Sequence, residues 1–359
     1  MKKIIHFHPD WVYANRFLQP LMKAEKQIGY HTKLVTAKNT PKNNSHIDFD
    51  IFKTFYKFPV VIFKLIKLFY INRPDIVFCH NTSSSFFPLL IARILFIKKI
   101  IYFNHGVPFI GYQGILRYLL SWLEKINCAL GTNIITVSKE MQKVLGTISN
   151  KKIEILHKGS ACGIDFGNFQ NEKKSIIKLK KKLNIGLKDR VFLYIGRPNK
   201  RKGFFDIIEI WEKKFNLNKN YKLLLLGIDS LDFKKNNKTI PENAFPLSFV
   251  KDINNYHFIA DYFFMTSHHE GLSYSILESF NYKTLVLSNN IPSVAELVLD
   301  RKTGFLIDNN SAENYYDSVM ECEKNIKLRN KIIKNANKIL EKYDRKDFMK
   351  HYKSFLEKL

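Results

Sequence analysis

Short apolar runs alternate with amphipathic segments along the first half of the chain. Each run has the length and the aromatic or β-branched content of a buried strand. The runs are KIIHFH (3–8), HTKLVT (31–36), PDIVFCH (74–80), KIIYFNHG (99–106), NIITVS (133–138) and KIEILHKG (152–159). An amphipathic segment from Phe17 to Ile28 ends at Gly29. This alternation predicts an α/β fold in which crossover helices join parallel strands in a doubly wound sheet.

The alternation restarts after a polar, lysine-rich stretch from Gln170 to Arg190, in which we predict one short helix. The later strand candidates are VFLYIG (191–196), KLLLLG (222–227), LSFV (247–250), YFFM (262–265), TLVLSN (284–289) and GFLID (304–308). A helix is predicted from Phe204 to Phe215, a polar loop leads to Pro246, and the charged segment from Ala312 onward is predicted to be helical. Two such units predict two Rossmann-like domains that face a cleft, with ligands at the carboxyl ends of the strands.

The stretch ADYFFMTSHHEGLSYSILES (260–279) predicts a strand, a polar loop and a helix in succession. Ser273 is a good N-cap, with Glu270 before it and Glu278 inside the helix. Backbone N–H groups and the positive end of the helix dipole lie between these carboxylates, which favours a phosphate there. The helix climbs roughly 7 to 8 Å from Ser273 to Glu278, about the reach from a diphosphate to a ribose. The order of binding groups therefore matches the sugar, diphosphate and ribose of a nucleotide sugar.

A second loop at a strand end, GRPNKRKG (196–203), is strongly basic. Arg197, Arg201 and Lys202 can hold a diphosphate as point charges or as a bidentate fork. Gly203 lets the backbone approach closely. Basic loops are often simply solvated, but a loop that leaves a strand and opens a helix is an anion site by geometry.

Histidine and acidic side chains at strand ends of the first half are candidates for substrate contacts. His105 follows the strand KIIYFN, where an imidazole can hydrogen-bond a sugar hydroxyl or a carbonyl oxygen. The chain has 11 histidines, so a structural role for His105 stays open. His8, Asp10 and Trp11, in the first predicted loop, are candidates for the acceptor side.

Three other patterns do not predict a metal site. His268 and His269 adjoin Glu270, but neighbouring side chains of an extended chain point to opposite sides, and no third ligand is near. The lone Asp-x-Asp at Asp48–Asp50 is interpreted as a loop. The four cysteines are scattered without paired spacing, which indicates neither zinc nor disulfides and fits a reducing cytoplasm.

Composition indicates a globular protein of 359 residues, with 45% hydrophobic and 14% aromatic residues. The net charge of +26 suggests an anionic partner: nucleic acid, an acidic lipid surface or a phosphorylated substrate. Lysine, asparagine and isoleucine are abundant in every segment, so a base-composition origin of the charge stays open. The N-terminal MKKIIHFHPD is interpreted as a first strand, and no apolar run has the length of a membrane span. We therefore expect a cytoplasmic protein, soluble or peripheral on a membrane.

The segment FYKFPVVIFKLIKLFY (55–70) is basic and amphipathic. One interpretation is a helix that packs on the sheet with Lys57, Lys64 and Lys67 outside. The other is a helix that lies on an anionic membrane surface, which its aromatic content would suit.

Four blocks together resemble glycosyltransferase family 4, retaining enzymes of the GT-B fold. In EGLSYSILE, seven residues separate Glu270 and Glu278 as in the signature of that family. YIGRPNKRKG (194–203) resembles its diphosphate loop, VSKEM (137–141) its domain-end strand, and KGSACGIDFGNF (158–169) its interdomain linker. The blocks run in family order over nearly the whole chain, and the likeness is greatest to transferases of capsule, O-antigen or lipid-linked oligosaccharide synthesis.

The resemblance implies a role for each matching residue. Glu270 contacts donor-sugar hydroxyls near the anomeric carbon, His105 touches the transferred sugar, and Glu278 binds the ribose. The other implied donor contacts are Gly196, Arg197, Lys202, Val250, Gly271, Leu272 and Ser273. No metal is implied, because cations and the helix end stabilise the departing diphosphate. The implied mechanism is front-face displacement with retention. The first loop lacks the glycine pair that many members have, which weakens the case for donor contact from it.

The resemblance also implies domain limits and partners. We expect an acceptor-binding domain at residues 1–168, a nucleotide-sugar-binding domain at 169–340, and a final helix at 341–359 that returns to the first domain. The expected activity is transfer of a sugar from a nucleotide sugar, with UDP as the expected nucleotide, to a lipid-linked or polysaccharide acceptor, with peripheral contact to the inner membrane surface and no nucleic acid. The alternatives are a GT-B nucleotide-sugar epimerase and a non-enzymatic basic protein that binds nucleic acid or anionic membrane.

Overall fold

The computed structural model describes residues 2–41, 45–166, 173–186 and 188–359. The chain divides into two units. The first comprises Met1–Gly163 together with Tyr343–Leu359, and the second comprises Ile164–Lys342. The limit expected between residues 168 and 169 lies outside the described residues.

The first unit contains a parallel sheet whose order is β3-β2-β1-β4-β5-β6-β7 in its described part. Its strands are β1 Lys3–His8, β2 His31–Thr36, β3 Ser45–His46, β4 Ile76–His80, β5 Lys99–Asn104, β6 Asn133–Thr136 and β7 Ile153–Ile155. Each neighbouring pair is parallel. Sheets covered on both faces need strands that are apolar almost throughout, which is why these strands were visible as continuous runs.

Helices cover the sheet of the first unit. They are α1 Trp11–Phe17, α2 Gln19–Gln27, α3 Ile51–Thr54, α4 Phe58–Asn72, α5 Thr82–Ile94, α6 Gly114–Leu130 and α7 Lys139–Gly146. The helical region begins at Trp11 and not at Phe17, so the predicted first loop is wrong beyond Asp10. The Asp10 carboxylate accepts a hydrogen bond from the Val12 amide at 2.9 Å and caps α1, a start signal that the apolar pattern does not show.

The second unit repeats the same strand order, β10-β9-β8-β11-β12-β13, again with parallel pairs. Its strands are β8 Arg190–Ile195, β9 Tyr221–Leu226, β10 Ala244–Pro246, β11 Tyr262–Met265, β12 Leu285–Asn289 and β13 Phe305–Ile307. Both units therefore have the Rossmann order, and the predicted pair of doubly wound α/β units is confirmed.

The helices of the second unit are α8 Lys173–Lys182, α9 Phe204–Ile210, α10 Ser230–Lys235, α11 Asn254–Ile259, α12 Tyr274–Asn281, α13 Pro292–Ala295, α14 Ala312–Lys324 and α15 Ile326–Leu340. Two predictions were wrong here. The edge strand is β10, where Phe245 pairs with Leu224, and LSFV follows it outside any strand or helix. The polar loop before Pro246 contains α10, whose start is fixed by a capping box between Asp229 and Asp232.

An aromatic core holds the second unit together. The Phe192 ring on β8 packs against the rings of Trp211, Phe215, Tyr262 and Phe264, with centroids 5.0–5.3 Å apart. Full burial of one such side chain stabilises a fold by about 1.5–3 kcal/mol. This core supports β8 and β11 as fixed platforms for the loops at their carboxyl ends.

The last helix, α16 Arg345–Glu357, belongs to the first unit and packs on α2. A methyl group at Gly163 would lie 2.6 Å from the Arg345 Cα, so the chain there needs glycine. The Tyr352 hydroxyl donates a hydrogen bond to the buried Glu25 carboxylate. The C-terminal segment therefore places polar groups inside the first unit.

Candidate functional site

The loops that follow β8 and β11 meet at one edge of the second sheet. These strands are parallel neighbours, so their carboxyl ends lie side by side. The His268 amide donates to the Arg201 carbonyl at 2.9 Å, and the Arg201 guanidinium donates to the His269 carbonyl at 3.3 Å. The two stretches that sequence reasoning singled out therefore form one site within the second unit.

Gly203 makes this close approach possible. Its φ of +70° is a left-handed conformation that glycine adopts without strain. A methyl group at this position would lie 2.0 Å from the Thr266 carbonyl oxygen at the end of β11. The Thr266 hydroxyl also donates to the Gly203 carbonyl at 2.8 Å. Gly203 therefore locks the basic loop to the strand end.

Lys202 and Glu270 form an ion pair in this site. Lys202 Nζ donates to Glu270 Oε1 at 2.5 Å, and the exposed fractions of the two side chains are 22% and 10%. The Lys202 carbonyl accepts from the Tyr194 hydroxyl at 2.8 Å, which fixes the backbone below the lysine. A methyl group at Gly196 would lie 2.5 Å from that hydroxyl, so Gly196 leaves room for it.

The charge state of Glu270 follows from two opposing effects. Burial alone raises the pKa of its carboxyl, but the charges of Lys202 and Arg201 outweigh burial and hold the pKa below the ordinary carboxyl value. Glu270 is therefore an anion at neutral pH. A desolvated carboxylate beside two cations suits a ligand that brings hydroxyl groups and negative charge together.

Helix α12 begins at the predicted residue. The Ser273 hydroxyl accepts from the Ile276 amide at 3.4 Å and caps the helix, as predicted. Glu278 lies inside the helix, mostly buried, and its Oε2 lies 3.6 Å from Nε2 of the fully buried His257. Glu270, the cap and Glu278 thus follow one another along the start of α12. Gly271 and Leu272 are buried between Glu270 and the cap.

The cationic side chains of the basic loop point in different directions. Lys202 and Arg201 turn toward Glu270, whereas the Arg197 side chain is exposed and makes no ion pair within the described residues. Val250 is half-buried in the loop after β10, next to the exposed Phe249. Arg201 therefore has a better geometric claim than Arg197 to act together with Glu270.

His105 lies in the first unit at the end of a row of histidines. Its Nε2 lies 2.8 Å from Nδ1 of His80, and the His80 Nε2 lies 3.1 Å from Nδ1 of His6. Burial lowers the pKa of His105 to about 3 and holds the pKa of His80 well below the ordinary imidazole value. The His105 and His80 rings are therefore neutral, and of the three histidines only His105 is partly exposed.

The other candidates of the first unit take part in internal contacts. His8 is buried, and burial lowers its pKa to about 4. The Asp10 carboxylate contacts Lys38 Nζ at 3.3 Å and accepts from the Asn39 amide at 2.9 Å, besides capping α1. Trp11 is half-buried in the first turn of α1. These partners of Asp10 are all groups of its own unit.

A cavity of about 380 Å³ lies close to His105 in the first unit. The polar side chains of its lining come from the residues at the start of α5, and the apolar ones come from α3, α6 and the segment between β5 and α6. The lining residues are Phe52, Asn81, Thr82, Ser83, Gly106, Pro108, Tyr112, Leu116 and Leu120. A cavity lined by both polar and apolar groups suits an amphiphilic ligand.

The other acidic and histidine patterns of the sequence make local contacts. Asp48–Asp50 is a loop, as predicted, and Asp50 accepts hydrogen bonds from the Phe52 amide and the Ser83 hydroxyl. His268 contacts Asp206 at 3.0 Å. In the part of the chain that the structure describes, no cluster of three His, Cys, Asp or Glu side chains is arranged for a metal. Within those same ranges, no helix is long and apolar enough to cross a membrane.

Sequence reasoning missed the groups that support the site. Tyr194, Thr266 and His257 lie within or beside the predicted segments, yet their roles come from tertiary contacts. The histidine row had a visible signal, because His6, His80 and His105 each lie at or near the carboxyl end of a strand. The strand order that makes those strands neighbours was needed to use it.

Comparisons with known proteins agree over both units. A family model described as "Glycosyl transferases group 1" matches residues 175–339, and one described as "Glycosyltransferase Family 4" matches residues 14–160. The capsular polysaccharide biosynthesis glycosyltransferase CapM of Staphylococcus aureus is 25% identical over 296 residues, which are 78% of this chain and 75% of that protein.

Two further matches extend the comparison. An Escherichia coli protein named UDP-Gal:alpha-D-GlcNAc-diphosphoundecaprenol alpha-1,3-galactosyltransferase is 25% identical over 297 residues, 78% of this chain and 74% of its own length. The solved structure of Anabaena HepE in complex with UDP-glucose superposes with a TM-score of 0.78 at 15% identity and covers all of both chains. At that identity the structural match supports the fold alone.

Proposed function

The chain belongs to the family 4 glycosyltransferases and is a GT-B enzyme that acts on nucleotide sugars in glycan biosynthesis, and from this premise we propose its donor, acceptor and mechanism. The donor is a UDP-sugar, and the acceptor is a lipid-linked or polysaccharide chain of the cell surface. The observation that carries the proposal is the partly buried Lys202–Glu270 pair beside the capped start of α12.

The proposed roles follow the chemistry of each group. Glu270 accepts hydrogen bonds from hydroxyls of the donor sugar, and Lys202 with Arg197 holds the diphosphate. Arg201, which also faces Glu270, is proposed to hold the diphosphate together with them. The remaining proposed contacts are Gly196, Gly271, Leu272 and Ser273 to the diphosphate, Glu278 to the ribose, Val250 to the base, and His105 to the transferred sugar.

Charge explains how these groups promote transfer. When the glycosidic bond breaks, negative charge builds up on the departing diphosphate. A lysine ammonium is a compact charge with three donors, so Lys202 can bridge Glu270 and a phosphate oxygen at once. The amides at the start of α12 add a positive dipole. These fixed charges replace a metal ion in the proposed mechanism, which is front-face displacement with retention.

The donor and acceptor rest on the names of relatives and on chemistry. HepE binds UDP-glucose, and the E. coli relative is named for UDP-galactose and a diphosphoundecaprenol acceptor. CapM is named for capsular polysaccharide. The 380 Å³ cavity, with its polar and apolar lining residues, is the proposed place for the acceptor, and His8, Asp10 and Trp11 are proposed to lie on the acceptor side.

Peripheral membrane contact is part of the proposal. On α4, Val61, Leu65 and Phe69 are buried against the fold, whereas Lys64 and Lys67 are exposed, as is Lys57 just before the helix. The packing interpretation predicts this arrangement. A second apolar row on the same helix is exposed as well, with Phe63 at 66% and Tyr70 at 72%. The exposed apolar residues of α6 are Ile115, Leu116, Tyr118, Leu119 and Trp122. Exposed aromatic residues beside lysines suit an anionic lipid surface.

A thermal-shift screen tests the donor proposal. UDP-, GDP-, ADP- and dTDP-sugars are compared, because a ligand at about 100 times its dissociation constant stabilises a protein by about 2.7 kcal/mol. We expect the largest shift with a UDP-sugar, and loss of that shift in Lys202→Ala. The matched control is Lys200→Ala, an exposed lysine in the same loop. An equal shift in Lys202→Ala and wild type would refute the assigned donor site.

The epimerase alternative differs in its need for an acceptor. An epimerase converts the nucleotide sugar without any second substrate, whereas a transferase releases the nucleotide in step with glycosylation of the acceptor. Nucleotide release is therefore measured with and without a lipid diphosphate sugar. Acceptor-dependent release supports transfer, and a new nucleotide sugar in the absence of acceptor supports the alternative.

A further inference from the structure

A row of hydrogen-bonded groups runs through the first unit from α16 to His105. The Tyr352 hydroxyl donates to Glu25 Oε1. The same oxygen lies 2.9 Å from His6 Nε2. From His6 the row continues through His80 to His105, as described above. His6 lies within the second half of β1, His80 is the last residue of β4, and His105 directly follows β5. These strands are neighbours in the sheet, so the strand order itself assembles the row.

The inner members of the row are sealed from solvent. Glu25, His6, His80 and Tyr352 are completely buried. Unpaired polar groups are costly in such a place, so each ring nitrogen must take a complementary role toward its neighbour. The stacking of His105 on Phe103, with centroids 4.6 Å apart and planes 22° apart, keeps its ring in the orientation that the row requires.

The direction of the hydrogen bonds follows from the phenol. Burial holds the pKa of Tyr352 well above the ordinary phenol value, so its hydroxyl keeps its proton and donates to Glu25. Glu25 Oε1 is therefore an acceptor, and His6 carries a proton on Nε2. When that is the only proton of the ring, the His6 Nδ1 accepts from His80 Nε2–H, and the His80 Nδ1 accepts from His105 Nε2–H.

We propose that Tyr352, Glu25, His6 and His80 are positioning residues that hold His105 in the Nε2–H tautomer, so that its Nδ1 presents a lone pair to a hydroxyl of the sugar substrate. This inference rests on the proposed contact between His105 and the transferred sugar. No hydrogen bond to Nδ1 of His105 is formed by any described residue. A hydroxyl donor and not a carbonyl oxygen is therefore the group that His105 selects.

The first test reads the tautomer directly and needs no substrate. Long-range ¹H–¹⁵N correlation spectra of histidine-labelled protein distinguish a protonated ring nitrogen from a bare one. We expect bare Nδ1 and protonated Nε2 on His105 at neutral pH, and a mixture of tautomers in His80→Phe. A protonated Nδ1 on wild-type His105 would overturn the proposal. This result stands whether or not the proposed sugar transfer is observed, so the two failures are distinguishable.

The second test is a double-mutant cycle on the rate of transfer. His80→Phe and His105→Asn are each expected to lower kcat/KM about 3- to 10-fold, the worth of one hydrogen bond. An asparagine amide can rotate to offer its oxygen without a tautomer partner, so His80→Phe should cause no further loss in the His105→Asn background. Losses that multiply would mean that His80 acts only through packing and would refute the proposal.

A second variant provides the test if His80→Phe does not fold. Tyr352→Phe removes one hydroxyl from the far end of the row and should shift the tautomers of His6 and His105 while the fold survives. Unchanged tautomers in that variant would count against the proposal. The control is His31→Phe, an exposed histidine at the start of β2, which should leave both the spectrum of His105 and kcat/KM unchanged.

Discussion

Replacing Lys202 by alanine isolates the central electrostatic feature of the second unit. The substitution removes the ammonium group 2.5 Å from Glu270 and leaves that carboxylate buried. Removal of one partner of a buried pair is far more costly than the net worth of the pair, because the remaining charge stays desolvated. We therefore expect Lys202→Ala to destabilise the second unit as well as to weaken donor binding.

The magnitude follows from the burial of the pair. Breaking a buried ion pair costs about 3–5 kcal/mol. The lower end applies here, because Lys202 keeps 22% of its side chain exposed and Arg201 still faces the carboxylate. For a domain of about 150–250 residues, each kcal/mol lowers Tm by about 2–4 °C, so the expected loss is about 6–12 °C.

The destabilisation by Lys202→Ala should depend on pH, and the pKa of Glu270 sets the direction of that dependence. In the wild type, the lowered pKa of Glu270 contributes stability that is present above the ordinary carboxyl pKa of about 4.3 and is lost as pH falls through the lowered value. In Lys202→Ala burial is less opposed, so the pKa of Glu270 rises. As acid protonates Glu270, the stability of the variant therefore approaches that of wild type. The difference in Tm should be largest near about pH 8 and smallest near about pH 5.

Thermal melts of wild type and variant across this pH range are the assay. Lys200→Ala, the exposed neighbour, should stay within about 0.5 kcal/mol of wild type at every pH. The double variant Lys202→Ala with Glu270→Gln should recover most of the loss, because no uncompensated charge remains. A loss in Lys202→Ala that is the same at every pH, or that the double variant does not reduce, would refute this reasoning.

Three further predictions concern the backbone, the membrane and the ribose. Gly203→Ala should lower the free energy of unfolding by more than about 2 kcal/mol in a thermal melt, because its methyl group would lie 2.0 Å from a backbone oxygen. Gly146→Ala, with open space around it, should be neutral or slightly stabilising. Equal effects of the two substitutions would contradict the packing argument. Phe63→Glu should reduce cosedimentation with vesicles that contain anionic lipid. The control Leu217→Glu, at a residue 93% exposed in the second unit, should not reduce it. Equal binding of wild type and both variants would exclude α4 as the contact. Glu278→Gln should raise KM for the donor about tenfold with a smaller change in kcat, and an unchanged KM would remove Glu278 from the ribose site.

Much of the fold could be predicted because buried parallel strands are apolar almost without interruption. Strands such as KIIYFN and KLLLLG leave no competing interpretation. The edge strand was misplaced, because AFP and LSFV are both apolar and only pairing with β9 decides between them. Helices α1 and α10 were missed because aspartates at their N termini fix their starts, and apolar periodicity does not show such starts.

The two segments that form the site could be predicted from the sequence, but the contacts between them could not. Ser273 could be identified as a cap because its hydroxyl acts within one turn of the chain. The choice of Lys202 as the ion-pair partner of Glu270, and the outward position of Arg197, depend on how Gly203 docks against β11. The histidine row required the order of β1, β4 and β5, since residues far apart in sequence meet only in the folded sheet.

Transfer of a labelled sugar by Glu270→Gln tests the central claim most directly. Wild type, Glu270→Gln and the exposed control Glu212→Gln are each given a UDP-sugar and a lipid diphosphate acceptor, and the labelled product is measured. We expect wild type and Glu212→Gln to transfer equally, and Glu270→Gln to lose at least about 100-fold in kcat while its melting curve shows an intact fold. Full transfer by a folded Glu270→Gln would contradict the account.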